Sequence, residues 1–589
     1  MDGTADSNHG AHMLREGRRG SYDDGTAVPS TSPPPHAGMI LLKSLTTHRA
    51  NRAPQPGGWS PNRGGDGFQP GRARSSVLLL GSLVVTLLSV AAFGVPPGNW
   101  ISFVDVSAET GLREIIYGGV EHQKYILETT GTGVAIFDYD QDGRLDIFFV
   151  NGTRLDLASD QSPTNRLYRN LGKWRFEDVT VEAGLVHSGW GQGACVGDFD
   201  NDGWTDLFVS YYGENVLYRN KGNGSFADVS EKAGIRAPRR WNSGCTFVDY
   251  NHDGRLDLFI ANYVDFGDAA RYEPGSVQTC KWRGIDVMCG PRGLKEAKNI
   301  LYRGNGDGTF TDVSVPSGIT EAEGFYCFMP VTLDFDHDGW SDLYVACDAA
   351  PNILYLNNAD GTFTDVAMES GTAVNENGEE QAGMGVSVGD YDLDGHLDVL
   401  VTNFSDETPT LYHNDGIGAF TDTTFAAKLG RERKYVSWGV GLIDLDNDGW
   451  KDIFIANGHV YPEVDRYPSE TTYRQAKQVF RNLGNGTFED MSGSTGAAIQ
   501  AEKASRGAAS GDLDGDGDLD LIVVNLNERP SVLRNDGEQG NNWLTVRLEG
   551  TQSNRSGIGA RVQVTAGGRT QTDEVRSAGS YYSSDGLRV

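Results

Sequence analysis

GDFDNDGWTDLFV, residues 197–209, is the stretch on which the fold turns. Its centre, DFDNDGWTD (198–206), is one of seven copies of the pattern D-x-[DN]-x-D-G-x-x-D. The others are DYDQDGRLD (138–146), DYNHDGRLD (249–257), DFDHDGWSD (334–342), DYDLDGHLD (390–398), DLDNDGWKD (444–452) and DLDGDGDLD (512–520). Acids at positions one, three and five alternate along a tight loop, the sixth residue is always Gly, and the Asp at position nine opens an apolar run. Calcium takes six to eight oxygen ligands, which such a loop supplies from its carboxylates and a backbone carbonyl near position seven. The predicted ligand sets are Asp138, Asp140, Asp142, Asp146; Asp198, Asp200, Asp202, Asp206; and Asp249, Asn251, Asp253, Asp257. They continue with Asp334, Asp336, Asp338, Asp342; Asp390, Asp392, Asp394, Asp398; Asp444, Asp446, Asp448, Asp452; and Asp512, Asp514, Asp516, Asp520. Asn251, the one substitution, still offers a carbonyl oxygen. Carboxylates crowded into one turn repel and drift toward protonation without a cation. Calcium is therefore the expected cofactor; magnesium, which keeps its waters, fits less well.

Two further patterns accompany each loop. One is an apolar-aromatic pair before a polar residue and usually Asn, as in Leu167-Tyr168-Arg169-Asn170. The other is F-x-D, at Phe103, Phe176, Phe226, Phe310, Phe363, Phe420 and Phe488. Each unit thus reads as four short strands, and repetition every ~50–60 residues indicates propeller blades. The expected fold is all-β, a seven-bladed β-propeller over residues 100–537. Phe103 precedes every Asp loop, whereas no F-x-D follows Asn535. The N-terminal strand should therefore complete the last blade and remove an open edge.

The chain of 589 residues carries a net charge of −31. Such a surface repels phosphate backbones and excludes nucleic acid as a partner. Residues 1–74, rich in Gly, Pro, Ser and Arg, are expected to be disordered. VLLLGSLVVTLLSVAAFGV (77–95) has no charge and is long enough to span a bilayer, with Arg72 and Arg74 before it. Residues 75–97 read as one hydrophobic helix, either a signal anchor that holds the chain in the membrane or a cleaved signal peptide. Both send the rest of the chain out of the cytoplasm.

GDFDNDGWTDLFV (197–209) and LYRNKGNGSFADV (217–229) resemble the FG-GAP/VCBS repeats of integrin-type propellers. QAGMGV (381–386), CGPRGL (289–294), IGARV (558–562) and GSYYSS (579–584) are similar to the ASPIC/UnbV, cartilage acidic protein-like group. The resemblance implies an extracellular calcium-binding interaction protein with no assigned chemistry. It also implies that residues 541–589 begin an ASPIC/UnbV domain; as an incomplete β domain, this stretch should have unpaired edges and be lost early to proteolysis.

Cys280 and Cys289 are disulfide candidates within one insertion, and Cys327 and Cys347 across paired strands; an exported chain permits both. Cys195 and Cys245 read as small buried residues. His252, His337 and His396 read as solvated loop residues, and Glu379 and Glu380 as a solvated loop. No catalytic constellation stands out. The expected function is an extracellular interaction or adhesion scaffold for a protein or polysaccharide. The alternative is a polysaccharide lyase or hydrolase, since a fold does not settle function. Strand parity puts the long insertions 262–299 and 457–478 opposite the Asp loops. Trp190, Trp241, Tyr326 and Trp438 on that side are the predicted ligand face.

Overall fold

The computed structural model describes residues 40–47, 100–120, 125–154, 156–157, 161–236, 240–265, 280–322, 325–537 and 541–589. Blade one is built of Val134–Phe137, Asp146–Phe149, Arg166–Asn170 and Phe176–Asp178, antiparallel in that order. Five more blades repeat this plan along the chain, and blades two and three are joined where Arg240 and Trp241 pair with Gly213 and Tyr212. The seventh takes Ser505–Gly511, Asp520–Asn525 and Ser531–Asn535, and closes with Phe103–Asp105 in register Phe103 opposite Asn535. First strands of successive blades lie side by side, and that of blade seven lies beside that of blade one. The ring is closed by the N-terminal strand.

The core sits between blades. Ile136, Ile147 and Phe149 of blade one pack on Ala509, Ile522 and Val524 of blade seven. A second strand is covered on both faces, so Asp257–Asn262 is buried along its whole length. That is why these runs are continuously apolar rather than alternating.

Where the sequence suggests a β stub with unpaired edges at residues 541–589, the strands are paired, although Arg561–Ala566 and Arg569–Glu574 are largely exposed. Leu544–Gly550 pairs antiparallel with Ile40–Thr47, and Arg561–Ala566 pairs with Arg569–Glu574. The pairing of Ile40–Thr47 also corrects the expectation of disorder for that part of 1–74; the rest of 1–74 and the hydrophobic run 75–97 lie outside the described residues. Among the described residues no helix is long and apolar enough to cross a membrane.

The last residues enter the axis of the ring. Ser580 exchanges backbone hydrogen bonds with Val386 of blade five, at 2.7 and 2.9 Å. Ala194 of blade two donates to the Tyr582 carbonyl at 3.0 Å, and Ile136 of blade one to that of Ser584 at 2.9 Å. Val440 of blade six donates to Ser580 Oγ at 2.9 Å. Strands from four blades thus grip one short segment. Gly133 shows why first strands are Gly-rich, because a Cβ there would lie 1.7 Å from the Tyr582 carbonyl oxygen.

Candidate metal centres

All seven Asp loops fold alike. The Gly at position six has φ between +78° and +95°, a left-handed conformation that a Cβ resists. Its N–H donates to Oδ2 of the first Asp, as Gly143 does to Asp138 at 3.1 Å and Gly395 to Asp390 at 3.0 Å. The ninth Asp is buried and holds two backbone donors at once. In blade one, Asp146 accepts from Tyr139 N–H at 3.2 Å and from Asn170 N–H at 2.7 Å. The same pair of bonds recurs at Asp206, Asp257, Asp342, Asp398, Asp452 and Asp520. Position nine therefore ties loop, second strand and third strand together by itself, at roughly 0.5–1.5 kcal/mol per hydrogen bond.

The remaining oxygens converge. Oxygens of Asp138, Asp140 and Asp146 lie within 4.8 Å of one another, as do those of Asp198, Asp200 and Asp206; of Asp334, Asp336 and Asp342; and of Asp390, Asp392 and Asp394. Among them Asp138 Oδ1, Asp200 Oδ1, Asp334 Oδ1 and Asp390 Oδ1 are buried and accept no hydrogen bond. A buried, unpaired carboxylate oxygen is costly unless a cation meets it. Burial also pushes Asp146 up to about 8 and Asp342 up to about 9. The donor set at positions one, three, five and nine is all oxygen in the seven loops, which fits a hard divalent cation. Positions one, three, five and nine would hold it and the Gly would turn the loop around it.

Residues 138–209, 198–260, 285–345, 334–401, 390–455 and 471–523 match the FG-GAP-like repeat, and 550–589 match the ASPIC and UnbV domain. The repeat matches cover more than half of the chain. The chain belongs to the FG-GAP-like repeat family. Cartilage acidic protein 1 of Homo sapiens is 24% identical over 433 residues, 70% of this chain and 59% of that protein. The Xenopus tropicalis protein of the same name is 24% identical over 423 residues, 70% of this chain and 52% of that protein. The chain thus spans just over half the length of these curated relatives. Among solved structures, the BP39L lectin from Burkholderia pseudomallei superposes with a TM-score of 0.40 at 9% identity, over 76% of this chain and 100% of that one.

Two features link the FG-GAP-like loops to each other. The first is the Asn that ends the third strand. Asn414 Nδ2 donates to Leu397 O of its own loop at 3.3 Å and to Phe335 O of the preceding loop at 2.9 Å. Asn170, Asn220, Asn357 and Asn482 bridge their own and the preceding loop in the same way. Asn414→Ala strands two buried carbonyls and should lower stability by about 2–4 kcal/mol in chemical denaturation with calcium present. A loss under about 0.5 kcal/mol would remove the bridge from the account of this repeat.

The second is position four, which is left-handed although it is Gly only at Gly515. Its side chain reaches the next loop. Asn201 donates to Gly254 O at 2.8 Å, His252 stacks on Trp340 at 3.9 Å, and His337 Nε2 lies 3.3 Å from His396 Nδ1. These histidines make inter-loop contacts while His252 and His337 stay exposed, as the sequence suggests, and His396 is half-buried. Leu393 holds position four in blade five at φ 61°, and Gly395 follows at φ 92° with open space where a Cβ would stand. Gly395→Val therefore carries only torsional strain, about 2 kcal/mol or more for a β-branched residue. Leu393→Ala keeps the same backbone class and should change stability by less than about 0.5 kcal/mol. Equal losses in denaturant titrations would contradict the loop geometry.

The aromatic ligand face is not an open surface. Trp241, Tyr326 and Trp438 are buried, with Trp241 at 0% exposure, and Trp190 is half-buried against them. They pack with Tyr581 and Tyr582, both at 0%. First strands converge on a narrow axis, and the C-terminal segment fills what is left. Trp241 Nε1 donates to Gln192 at 3.0 Å, Trp438 Nε1 to Gly458 O at 2.7 Å, and Arg506 stacks on Trp438 at 4.2 Å. Cys280 is bonded to Cys289 and Cys327 to Cys347, while Cys195 and Cys245 are free and buried.

Sequence reasoning missed Asp348 and Glu407. Asp348 accepts from Tyr263 OH at 2.5 Å, and Glu407 from Ala382 N–H at 2.9 Å and Phe404 N–H at 3.2 Å. Burial pushes them up to about 6 and about 7. Both stand in connections after a second strand, where no repeat pattern marks them.

Proposed function

We propose that this chain is an exported, calcium-binding β-propeller that acts as an extracellular interaction scaffold. The observation that carries the calcium assignment is the set of buried, unpartnered carboxylate oxygens turned into the Asp loops. Export is supported by the uncharged run 77–95 behind Arg72 and Arg74 and by two disulfides, which persist in oxidising compartments. The relatives' name, cartilage acidic protein, agrees with that setting.

The face offered to a partner is the one opposite the Asp loops. Residues 541–574 lie over the loop side, where Arg569 donates to Asp448 O at 3.0 Å and Asn541 to Asp446 O at 2.9 Å. On the other side the blade-three and blade-six insertions meet, with Trp282 5.0 Å from His459 and 6.2 Å from Tyr461. An extracellular protein or a polysaccharide is the partner class such a loop-built surface suits.

Calorimetric titration of the purified chain tests the metal assignment. Several equivalents of calcium should bind, with magnesium a poor competitor. No calcium heat and no retention of the ion in equilibrium dialysis would end it. A glycan array and a capture experiment on secreted proteins, each with and without calcium, test the scaffold role. Binding to either probe that Trp282→Ala removes, with melting unchanged, supports this face; binding that Trp282→Ala leaves intact moves the partner site elsewhere.

A further inference from the structure

The seven loops differ at one position that faces their carboxylates. The third-strand residue that follows the aromatic pair is Arg169, Arg219, Arg303, Arg481 or Arg534 in five blades, and Leu356 in blade four. Arg169 Nε lies 2.9 Å from Asp140 Oδ2 and Arg481 Nη2 3.3 Å from Asp446 Oδ2, while Arg219 pairs with Asp200. A guanidinium has no lone pair to give a metal; it balances charge only. In blade five the residue is His413, which does have one.

His413 stands inside the loop's oxygen set. Its Nδ1 is in hydrogen-bond contact with Asp398 Oδ1 at 3.2 Å and 3.5 Å from Asp392 Oδ2, and its Nε2 is 3.8 Å from Asp415 Oδ1 and 4.0 Å from Asp394 Oδ2. Atoms of Asp392, Asp398 and His413 fall within 4.8 Å of one another. Asp390, at 0% exposure, shares the loop, and its Oδ1 accepts no hydrogen bond.

We propose that loop five is a mixed imidazole–carboxylate site for a first-row divalent metal of the zinc class, held by His413 Nδ1 with Asp390, Asp392 and Asp398. This deepens the metal-binding reading above and rests on loop five being a cation site. Bonds of about 2.0–2.2 Å place ligand atoms of one shell ~3.0–3.5 Å apart. The Nδ1 separations to Asp398 and Asp392 lie at that spacing already. Imidazole suits these metals and is foreign to the all-oxygen shell of calcium. With Nδ1 on the metal, the ring proton sits on Nε2, facing Asp415, the kind of outer carboxylate that fixes a ligating imidazole.

The competing account is that His413 is a counter-charge like the arginines of other blades. The full chain, saturated with calcium, is titrated with Zn²⁺ by calorimetry and with Co²⁺ by electronic absorption. The same titrations are run on His413→Arg and His413→Leu, residues that other blades carry at this position. Expected is about one equivalent of Zn²⁺ that excess calcium does not displace, with a Co²⁺ ligand-field band. Both variants should weaken it by at least about 10–100-fold, while the calcium-dependent rise in melting temperature, supplied by the other loops, persists. No such equivalent in the unaltered chain, or its survival in both variants, overturns the proposal. A zinc equivalent that depends on His413 in a chain that shows no calcium-dependent melting would leave this site standing and remove the calcium assignment alone.

Discussion

Stripping calcium from the intact chain with a chelator should lower its melting temperature by more than about 10 °C, and added calcium, not magnesium at equal concentration, should restore it. Each site that binds only the folded state adds about 2.7 kcal/mol when the ion stands at 100 times its dissociation constant. A few such sites match the ~5–15 kcal/mol that holds an ordinary domain together. The empty loops add repulsion between their acids and leave Asp138 Oδ1, Asp334 Oδ1 and Asp390 Oδ1 buried without a partner. Melting followed by circular dichroism, with and without chelator, is the measurement. Superimposable curves would end the calcium assignment for every loop at once.

The choice of loop variant decides what such an experiment says. Asp398 carries two backbone hydrogen bonds, from Tyr391 at 3.1 Å and Asn414 at 2.9 Å, so replacing it weakens the blade whether or not a metal binds. Asp336 and Asp338 of loop four accept hydrogen bonds from within their own loop, from Asp338 N–H at 3.2 Å and Trp340 N–H at 2.8 Å respectively. Their replacement by Asn keeps an acceptor and removes a charge. A smaller calcium-dependent rise in melting temperature in those variants reports on the ion; a smaller rise in Asp398→Asn does not.

The fold was legible because the repeat is short-range chemistry. Gly143 and its six counterparts turn the loop, Asp146 and its counterparts pin the third strand, and the F-x-D strand at Phe103, out of phase with the rest, announces the closure. What stayed hidden was set by long-range approach. Trp241 and Trp438 are large aromatics at the start of first strands, which suits a recognition surface as well as a plugged axis. Only the arrival of Tyr581 and Tyr582, more than a hundred residues later, decides between them. Nothing near GSYYSS (579–584) marks its contacts with four blades. Position four of the loops was invisible for the opposite reason. Residues as different as Gln141, His337 and Leu393 share one left-handed conformation there, so no residue type betrays it.

Tyr581→Ala with Tyr582→Ala should be among the most destabilising changes in the chain, each at about 3–5 kcal/mol for a fully buried aromatic truncated to Ala. Both rings are at 0% exposure, stacked on each other at 4.1 Å, and Tyr581 OH donates to Thr130 O at 3.0 Å. The same segment can be pushed from the propeller side. A methyl at Gly133 would stand 1.7 Å from the Tyr582 carbonyl oxygen, a backbone atom with no rotamer to yield. Gly133→Ala must therefore displace the segment or distort blade one, and should lose stability comparably. The two perturbations act on one contact, so they should not add. In a chain ending at residue 575, Gly133→Ala should have little further effect, because the clash has gone. Limited proteolysis in calcium should leave the segment joined to the propeller, since backbone paired to Val386, Ala194 and Ile136 cannot enter a protease cleft. Full additivity of Gly133→Ala and the truncation, together with early release of residues beyond 575 by protease, would show that the segment does not occupy the axis in solution.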